Sequence, residues 1–483
     1  MNDQLKKILI IVGIVSALFI VIMVIILLMN VPPRQPSGTS TITPTEPITL
    51  QYWSAFDDNE DMSDIIADYT ALHPNVTIEF RKFRFDEYEK ELLNALAEDR
   101  GPDIFSVHNT WVKGYTSKLA PMPQTLNVQR VQSQKKALGG DSLVGTIASV
   151  PGYTPKYMRD TFVPTVADDV MFSNEEGNMM IYALPLYVDT LALFYNPRLF
   201  NSAGIAQPPI NWNEFEEDVK KLTVIAPETH EILQSGAAFG TSRNIDRAFD
   251  ILSVLMEQNG TIMSKDGRVS FQEQSPYIKM SNINPAAEAL RFYTDFAWVT
   301  KADVYTWNQD QPNSVESFSQ ERAAMMFGYS YHMAQIKTKA PGLQFEVAPL
   351  PQKQPELKKT YANYWAQGVS NKSKYQDMAW DFIMFASSQD NVKPYLEKTQ
   401  SPTALRAMID EQLQNDTTRP FASQLLIAGN WYHGINSSAA EKTFLDMIDT
   451  ALTSKGGDIS EERRVMEELI NRASQTISQT YSQ

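Results

Sequence analysis

The side chains of this sequence that could do chemistry are carboxylates, aromatic rings and a few histidines. There are five His and no Cys, which excludes disulfides, thiolate metal sites and cysteine nucleophiles. None of the histidines has another His, Asp or Glu at the spacing of a helical metal site. The residue types therefore predict no metal site and no cofactor.

Two short motifs resemble catalytic or ion-binding sites without completing them. Gly328-Tyr329-Ser330-Tyr331-His332 begins like the nucleophile elbow of a serine hydrolase but lacks the closing glycine. Asp57-Asp58-Asn59-Glu60-Asp61 lacks the glycine and distal glutamate of a calcium loop and predicts a solvated acidic turn. A glycosidase pair stays open, because no carboxylate pair stands out by motif and a sequence does not give their separation.

The composition is that of a folded, acidic protein. The chain has 483 residues, of which 43% are hydrophobic and 20% charged, with a formal net charge of −15. These values are typical of a globular body. Nucleic-acid binding needs a basic face, so the acidic balance argues against that class of partner.

Alternating strands and helices are predicted for the segment that would hold the aromatic residues. The strands are expected at Ile48–Trp53, Val76–Phe80 and Asp103–Val107. A helix follows the first strand up to Leu72, and Asp86 is expected to cap the next one. The order β-α-β-α-β is typical of a parallel sheet.

Two of the predicted strands end in indole-bearing segments. Trp53-Ser54-Ala55-Phe56 follows the first strand and His108-Asn109-Thr110-Trp111 follows the third. In open α/β sheets, ligands sit beyond the carboxyl ends of the strands. Topology alone therefore makes these two segments candidates for a binding site.

An uncharged apolar run from Ile8 to Met29 lies near the start of the chain. As a helix it would extend about 33 Å, sufficient for a bilayer core. Lys6 and Lys7 precede it, which predicts residues 1–7 in the cytoplasm and the body outside. A cleaved signal peptide is the alternative, but the run is too long and no small-residue cleavage site follows. Residues 30–47, rich in Pro, Ser and Thr, predict an extended linker.

Several motifs occur in an order that resembles one known family, the extracellular solute-binding proteins of the maltose-binding type. That family comprises the family 1 sugar-binding proteins of ABC importers. The motifs are Gly101-Pro102-Asp103-Ile104, Gly114-Tyr115, Leu119-Ala120-Pro121, Tyr182 to Leu186, Leu193 to Pro197, Phe200 with Ala203-Gly204-Ile205, Pro209 with Trp212 to Phe215, Phe318 to Met333, and Ser401-Pro402 with Ala404.

The resemblance implies an α/β, two-lobed periplasmic-binding-protein-like fold (type II), here preceded by one transmembrane helix. The ligand would lie between the lobes, which close on it. The implied boundaries are 48–183 and 366–408 for lobe 1, 189–360 and 409–483 for lobe 2, and hinge crossings near 184–188 and 361–365.

This chain departs from the family pattern in two places. Residues 122–165 exceed the family's minimum length, and Gly139-Gly140 and Pro151-Gly152 predict a loop-rich insertion there. The insertion could cover the cleft or be a surface addition. The second departure is the missing N-terminal lipid-bearing cysteine, whose place the apolar run at 8–29 would take.

The resemblance also implies which side chains face the ligand. Flat rings cover the apolar C–H face of a sugar, while polar side chains bind its hydroxyl groups. A single aromatic residue can instead be core packing, as expected for Trp212 and Trp380 within helical patterns. The candidate ligand-binding residues are Trp53, His108, Asn109, Trp111, Tyr187, Asp189, Tyr329, Tyr331, Asn363, Trp365, Gln367, Trp431 and Tyr432.

The function implied by the resemblance is solute capture rather than catalysis. A protein on the extracytoplasmic side of the cell membrane, anchored by a single pass, would bind a carbohydrate-like solute and deliver it to the permease subunits of an ABC importer. Two alternatives stay open: an anchored ligand sensor for a signalling partner, and an anchored glycoside hydrolase or lyase. The sequence does not predict which solute is bound.

Overall fold

The computed structural model describes residues 47–135, 141–276, 283–301, 303–454 and 458–481. The predicted anchor at 8–29 lies outside the described residues, as does the predicted linker up to residue 46. No helix within the described ranges is both long and apolar enough to cross a membrane.

The described chain alternates short strands with helices throughout. The strands are β1 Ile48–Ser54, β2 Val76–Lys82, β3 Ile104–His108, β4 Thr125–Lys135, β5 Asp141–Pro151, β6 Met171–Ser173, β7 Met179–Ile181, β8 Leu184–Pro185, β9 Asp189–Thr190, β10 Ala192–Tyr195, β11 Val224–Ile225, β12 Ile232–Gln234, β13 Ser264–Lys265, β14 Arg268–Val269, β15 Met325–Gly328, β16 Glu346–Pro349, β17 Thr360–Asn363, β18 Trp365–Val369 and β19 Ala428–Gly429. The α-helices are α1 Asn59–Leu72, α2 Phe85–Ala97, α3 Val112–Tyr115, α4 Pro155–Thr161, α5 Pro164–Val170, α6 Pro197–Ser202, α7 Trp212–Leu222, α8 Ala248–Gln258, α9 Pro285–Asp295, α10 Ser314–Ser319, α11 Ser330–Lys339, α12 Gln376–Ala386, α13 Gln389–Thr399, α14 Ile409–Gln412, α15 Arg419–Ala422, α16 Ser437–Ser454 and α17 Ile459–Ser478.

The first lobe is built on a five-stranded sheet in the order β2-β1-β3-β18-β8. Strand β1 pairs in parallel with β2 and β3, which confirms the predicted β-α-β-α-β unit. Strand β18 enters from far along the chain and pairs antiparallel with β3, so that Trp365 lies opposite His108. This register brings together two of the candidate ligand-binding residues.

The acidic turn before α1 has a structural role. Asp58 accepts hydrogen bonds from the first-turn amides of the helix, and Asp61 bonds back to the Asp58 amide, forming a capping box. Asp57 is 1% exposed and accepts a hydrogen bond from Tyr395, so the prediction of a solvated turn is wrong for this residue. No cluster of three or more potential metal ligands occurs within the described residues.

The predicted cap of α2 is also wrong. The helix begins at Phe85, and its N-cap residue Arg84 makes no side-chain capping bond. Asp86 lies inside the first turn, where its charge complements the positive end of the helix dipole instead of accepting a capping bond.

The second lobe is built on an antiparallel sheet in the order β15-β10-β16. Its core includes a cluster of rings around Phe239, which lies 5.3 Å from Phe215 and 5.5 Å from Phe327 between ring centroids. Helices α16 and α17 pack into the same core through apolar residues that include Phe444 and Ile470. Trp212 and Trp380 are buried, as expected.

Two hydrophobic cores divide the body, and a small sheet lies where the chain passes between them. Strand β17 pairs antiparallel with β9 and parallel with β19. Strands β17 and β9 lie next to the predicted crossings. Strand β19 is a third segment of this sheet, which the sequence does not indicate. Of the residues assigned to lobe 2, Ile409, Ala422, Leu425 and Ala428 pack in the first core.

Residues 129–147 fall outside the compact unit formed by residues 46–128 and 148–483. Their described part belongs to β4 and β5, which pair as a two-stranded sheet. The loop-rich prediction for 122–165 is therefore wrong over these strands, because the Gly and Pro pairs that suggested loops fall at or beyond their ends. Gly139-Gly140 lies outside the described residues.

Candidate ligand-binding site

A cavity of about 270 Å³ lies between the two lobes. The first lobe contributes the start of α2, the end of β3 and the start of β18. The second lobe contributes the starts of α8 and α16 and the segment before α16. The lining residues are Phe85, Asp86, Glu89, His108, Thr110, Trp111, Trp365, Arg247, Phe249, Tyr432, Ser437, Ser438 and Glu441.

Aromatic rings form the first-lobe side of this cavity. The Trp111 and Trp365 rings meet edge to face at 5.2 Å, and Phe85 meets Trp365 in the same manner at 6.1 Å. Phe85 is 66% exposed although it is large and apolar. Exposed rings beside a cavity provide apolar surface that a ligand can cover.

His108 lies at the carboxyl end of β3, beside these rings. Its Nδ1 is 2.8 Å from the Thr110 hydroxyl, and its ring is 5.3 Å from Trp365. Burial and the positive charge of Arg247 lower the pKa of His108 to about 3. The imidazole is therefore neutral at physiological pH and can both donate and accept hydrogen bonds.

Arg247 provides the cationic group of the cavity and has an unusual backbone. It precedes α8 with φ of 62°, in the left-handed region. Its guanidinium forms two hydrogen bonds to the buried Asp250 carboxylate, at 2.7 and 2.9 Å, and the Tyr329 hydroxyl donates to the same carboxylate at 2.6 Å. Left-handed conformations of non-glycine residues are costly and concentrate at functional sites.

Three carboxylates complete the lining. Asp86 pairs with the exposed Arg84 at 2.9 Å, and Glu89 accepts a hydrogen bond from the Tyr115 hydroxyl at 3.1 Å. Burial raises the pKa of Glu441, on the first turns of α16. A half-buried carboxyl group facing a cavity is a common feature of ligand sites.

The cavity continues into a shallower groove of about 540 Å³ that shares Glu89, Trp111, Ser437 and Ser438 with it. A larger depression of about 680 Å³ lies entirely in the second lobe, around Trp212. We assign the site to the interlobe cavity, because both lobes contribute rings and charged groups to its lining, so that a ligand can bridge them.

Comparison with known proteins gives the family. Residues 56–393 match the family described as bacterial extracellular solute-binding protein. The chain belongs to this family. It is also 20% identical over 411 residues to the diacetylchitobiose binding protein DasA of Streptomyces coelicolor, a match that covers 84% of each chain.

Solved structures of solute-binding proteins share the two-lobed α/β fold. One is the cyclo/maltodextrin-binding protein complexed with maltotetraose, with a TM-score of 0.65, 15% identity and coverage of 93% of this chain and 100% of the other. Another is an ABC transporter solute-binding protein from Thermotoga lettingae bound with α-D-tagatose, with a TM-score of 0.63, 18% identity and coverage of 89% and 100%. At such identities the likeness shows the fold alone.

Four of the thirteen candidate residues of this solute-binding protein line the interlobe cavity: His108, Trp111, Trp365 and Tyr432. The first three flank the carboxyl end of β3, where topology predicts a ligand. The other nine lie elsewhere, for identifiable physical reasons.

Asn109 points into a buried polar network rather than into the cavity. Its Nδ2 donates to Asp169 at 3.1 Å, and that carboxylate also accepts from Tyr364 at 2.8 Å and from Asn430 at 3.3 Å. His433 Nε2 lies 3.0 Å from the same carboxylate. Asp169 thus joins the end of β3 to the segment that follows β19.

Asp189 caps a helix. Its carboxylate accepts from the Ser330 amide at 2.8 Å and from the Ser330 hydroxyl at 2.6 Å, at the start of α11. Burial raises the pKa of Asp189 to about 7, against the opposing effect of these bonds. The Ser330 hydroxyl donates to this carboxylate, which leaves the elbow-like motif without a His–Ser contact.

The candidate tyrosines Tyr187, Tyr329 and Tyr331 are not among the residues that line the cavity. Tyr331 stacks on Tyr329 at 5.9 Å and meets Phe56 of the first lobe at 5.6 Å. Phe56 in turn lies 5.8 Å from Tyr187. These rings therefore contact across the lobes and do not line the cavity.

The remaining candidates pack inside a lobe or a sheet. Trp431 donates from its indole nitrogen to Ser253 at 3.0 Å, within the second core. Trp53 packs on Phe83 at 4.5 Å. Asn363 and Gln367 are buried in β17 and β18, because strands at the centre of the sheet are covered on both faces.

Sequence reasoning missed most of the second-lobe lining, namely Arg247, Phe249, Ser437, Ser438 and Glu441. They begin two helices that lie close together only in the folded lobe. No motif marks them, and the left-handed backbone of Arg247 is visible only in the structure. In the first lobe, the spacing of Asp86 and Glu89 indicates the start of a helix rather than a ligand site, and Phe85 carries no signal.

Proposed function

We propose that this protein captures a carbohydrate-like solute in the interlobe cavity and delivers it to an ABC importer. The observation that carries the proposal is the lining itself. Rings from both lobes stand beside hydroxyl, imidazole, guanidinium and carboxylate groups. A sugar needs this combination, because its C–H face is apolar and its rim consists of hydroxyls.

The relatives agree with this ligand class. DasA is named for diacetylchitobiose, and the two solved structures hold maltotetraose and tagatose. These ligands differ in size and linkage, so they support a carbohydrate for this chain without naming it.

Capture would work by closure of the lobes. A ligand that contacts Trp111 on one lobe and Glu441 on the other stabilises the closed state more than the open one, and so shifts the equilibrium. Contacts across the lobes, such as Phe56 with Tyr331, would form on closure. We propose that the two cores are the moving lobes and that the sheet β19-β17-β9 is the hinge, near the crossings predicted at 184–188 and 361–365.

Binding without turnover is the chemistry we propose. The cavity carboxylates would accept hydrogen bonds from ligand hydroxyls, with no cofactor or metal. Incubation of the purified protein with labelled glycans tests this, and cleavage of any of them would favour the anchored hydrolase or lyase instead.

Ligand binding can be followed by the fluorescence of the tryptophans. Titration of the full-length protein in detergent with a carbohydrate panel should change the emission, because Trp111 lines the cavity. The Trp111→Phe variant should reduce the signal, whereas Trp298→Phe, outside the cavity, should not. A response to another solute class and to no carbohydrate would contradict the carbohydrate part of the proposal.

We further propose that residues 8–29 anchor the body on the extracytoplasmic side, with 30–47 as a linker to the permease subunits. The support is the uncharged run after Lys6 and Lys7. The full-length protein should stay in the membrane fraction after an alkaline wash, and a variant lacking residues 1–29 should be released. Release of both by the wash would contradict anchoring.

A further inference from the structure

The side chains that line the interlobe cavity include more carboxylates than cationic groups. Its only cationic side chain in the described residues is Arg247, and the imidazole of His108 is neutral at physiological pH. Against them stand the carboxylates of Asp86, Glu89 and Glu441. The lining therefore carries a negative excess before any ligand enters.

Arg247 offsets this excess only in part, because its guanidinium is paired with the carboxylate of Asp250. Both of its hydrogen bonds to Asp250 are short, and Asp250 is fully buried behind it. The negative charge of Asp250 beside this guanidinium weakens its attraction for a ligand anion.

The three cavity carboxylates differ in how many of their oxygens are already bonded to protein groups. Asp86 is exposed and paired with Arg84. Glu89 accepts one hydrogen bond, from Tyr115. Glu441 feels the positive charge of Arg247, which opposes the effect of burial on its pKa. It makes no hydrogen bond or ion pair within 4 Å to any described residue, so its oxygens can accept hydrogen bonds from a ligand.

We propose that the cavity selects uncharged or amino-bearing sugars and rejects acidic ones, with Glu441 as the residue that sets this preference. The inference rests on the proposed function, since it concerns the solute of the same cavity. An ionised carboxylate only accepts hydrogen bonds, so it suits hydroxyl and ammonium donors. An acidic sugar would place a second anion beside it in a partly water-excluded site, where like charges are costly.

The first experiment compares three sets of mono- to tetrasaccharides: uncharged, amino-bearing and carboxylate-bearing. The full-length protein is titrated with each by tryptophan fluorescence. We expect binding only in the first two sets, with acidic analogues of a bound sugar at least about 100-fold weaker. A carboxylate-bearing sugar that binds as tightly as its uncharged analogue overturns the charge preference and leaves the proposed function intact. If no saccharide binds, the proposed function fails, and this inference fails with it.

The second experiment removes the charge with Glu441→Gln, which keeps the size and one carbonyl acceptor. Affinity for an amino sugar should fall about 10-fold, since a charge-assisted bond is lost, and the penalty against acidic sugars should shrink by a similar factor. Affinity for an uncharged sugar should change about 3-fold or less.

A matched control is Glu91→Gln, the same chemical change on the exposed part of α2 and outside the cavity. It should leave all three classes unchanged. Glu89→Gln offers a second variant in case Glu441→Gln does not fold, with an effect of the same sign. Equal losses for all three ligand classes in both cavity variants would mean that the carboxylates support the fold rather than set the charge preference.

Discussion

Truncation of Phe85 should weaken ligand binding without unfolding the protein. The side chain is 66% exposed at the first position of α2, so its removal leaves no cavity in a core. The first turn of α2 does not depend on it, because alanine favours the helix. Its contact with Trp365, edge to face at 6.1 Å, limits the loss of folding free energy to about 1 kcal/mol.

The expected loss of affinity follows from the area that a ligand would cover. A phenylalanine side chain has a surface of about 200 Å², of which the exposed fraction of 66% corresponds to about 130 Å². A sugar that covers half of this removes about 65 Å² from water. At about 25 cal/mol per Å², the contribution is about 1.6 kcal/mol, equivalent to an affinity loss of about 15-fold.

Isothermal titration of Phe85→Ala with the best ligand of the panel measures this loss, and thermal unfolding measures folding. Phe85→Leu should fall between Phe85→Ala and the unchanged protein. Leu72→Ala is the control, since Leu72 is 57% exposed at the end of α1 and outside the cavity. An unchanged affinity in Phe85→Ala, with the protein folded, would refute the assignment of the site to this cavity.

Three further changes test the lobe contacts and the buried acids. In Gly114→Ala the new Cβ would lie 2.8 Å from the Ile435 carbonyl oxygen of the other lobe. Because this oxygen belongs to the backbone, it cannot move aside as a side chain could. The lobes should close less readily, and ligand binding should weaken about 10-fold. Burial raises the pKa of Asp57 from 3.8 to about 6. The unfolding free energy should therefore fall by up to about 3 kcal/mol as pH rises from 4 to 7, because the buried carboxyl group loses its proton. The Asp57→Asn variant should lack this pH dependence. Asp169→Ala should cost about 3 to 5 kcal/mol of unfolding free energy, because buried donors lose their common acceptor.

Each of these predictions has a contradicting result, and the first two have a control variant. Gly342→Ala introduces a methyl group with no atom within 4 Å and should bind normally; equal loss in both variants would contradict the steric argument. Asp68→Asn is the exposed counterpart of Asp57→Asn, and parallel pH profiles for the protein and Asp57→Asn would contradict the burial argument. For Asp169→Ala, denaturant unfolding with a change below about 1 kcal/mol would show that water replaces the network.

The fold was largely predictable because its signals are local. The strands around Tyr52 and the helix ending at Leu72 follow from alternation and helical spacing, and the structure has them within a few residues. Antiparallel entry of β18 was not predictable from pattern, because its partner β3 lies about 260 residues earlier and only folding brings them together. The sequence does not predict β4 and β5, because the Gly and Pro pairs near their ends indicate loops over the whole segment.

The candidate site was predictable only for residues whose place follows from the strand order of the sheet. His108 and Trp111 follow a strand of the parallel sheet, and strand ends of such sheets meet ligands whatever the family. Trp365 pairs opposite His108 and shares its position. On the second lobe, Arg247 and Glu441 begin helices separated by nearly 200 residues, so their meeting depends on the packing of α8 and α16 and leaves no sequence spacing to find.

Asp189 illustrates why ligand contacts and supports of the proposed hinge are difficult to separate by sequence, and it provides a test that separates them. Both roles need polar groups at the strand ends near the cleft, but Asp189 binds the start of α11 through Ser330 instead of lining the cavity. Asp189→Asn should therefore reduce the population of the closure-competent state, by about 3- to 10-fold for a weakened helix cap. Such a population factor multiplies the dissociation constant of every ligand equally. Phe85→Ala should instead weaken ligands in proportion to the apolar face that each presents. Titration of both variants with the same ligand series distinguishes the two roles. If the loss of affinity in Asp189→Asn differed between ligands, Asp189 would be a ligand-binding residue.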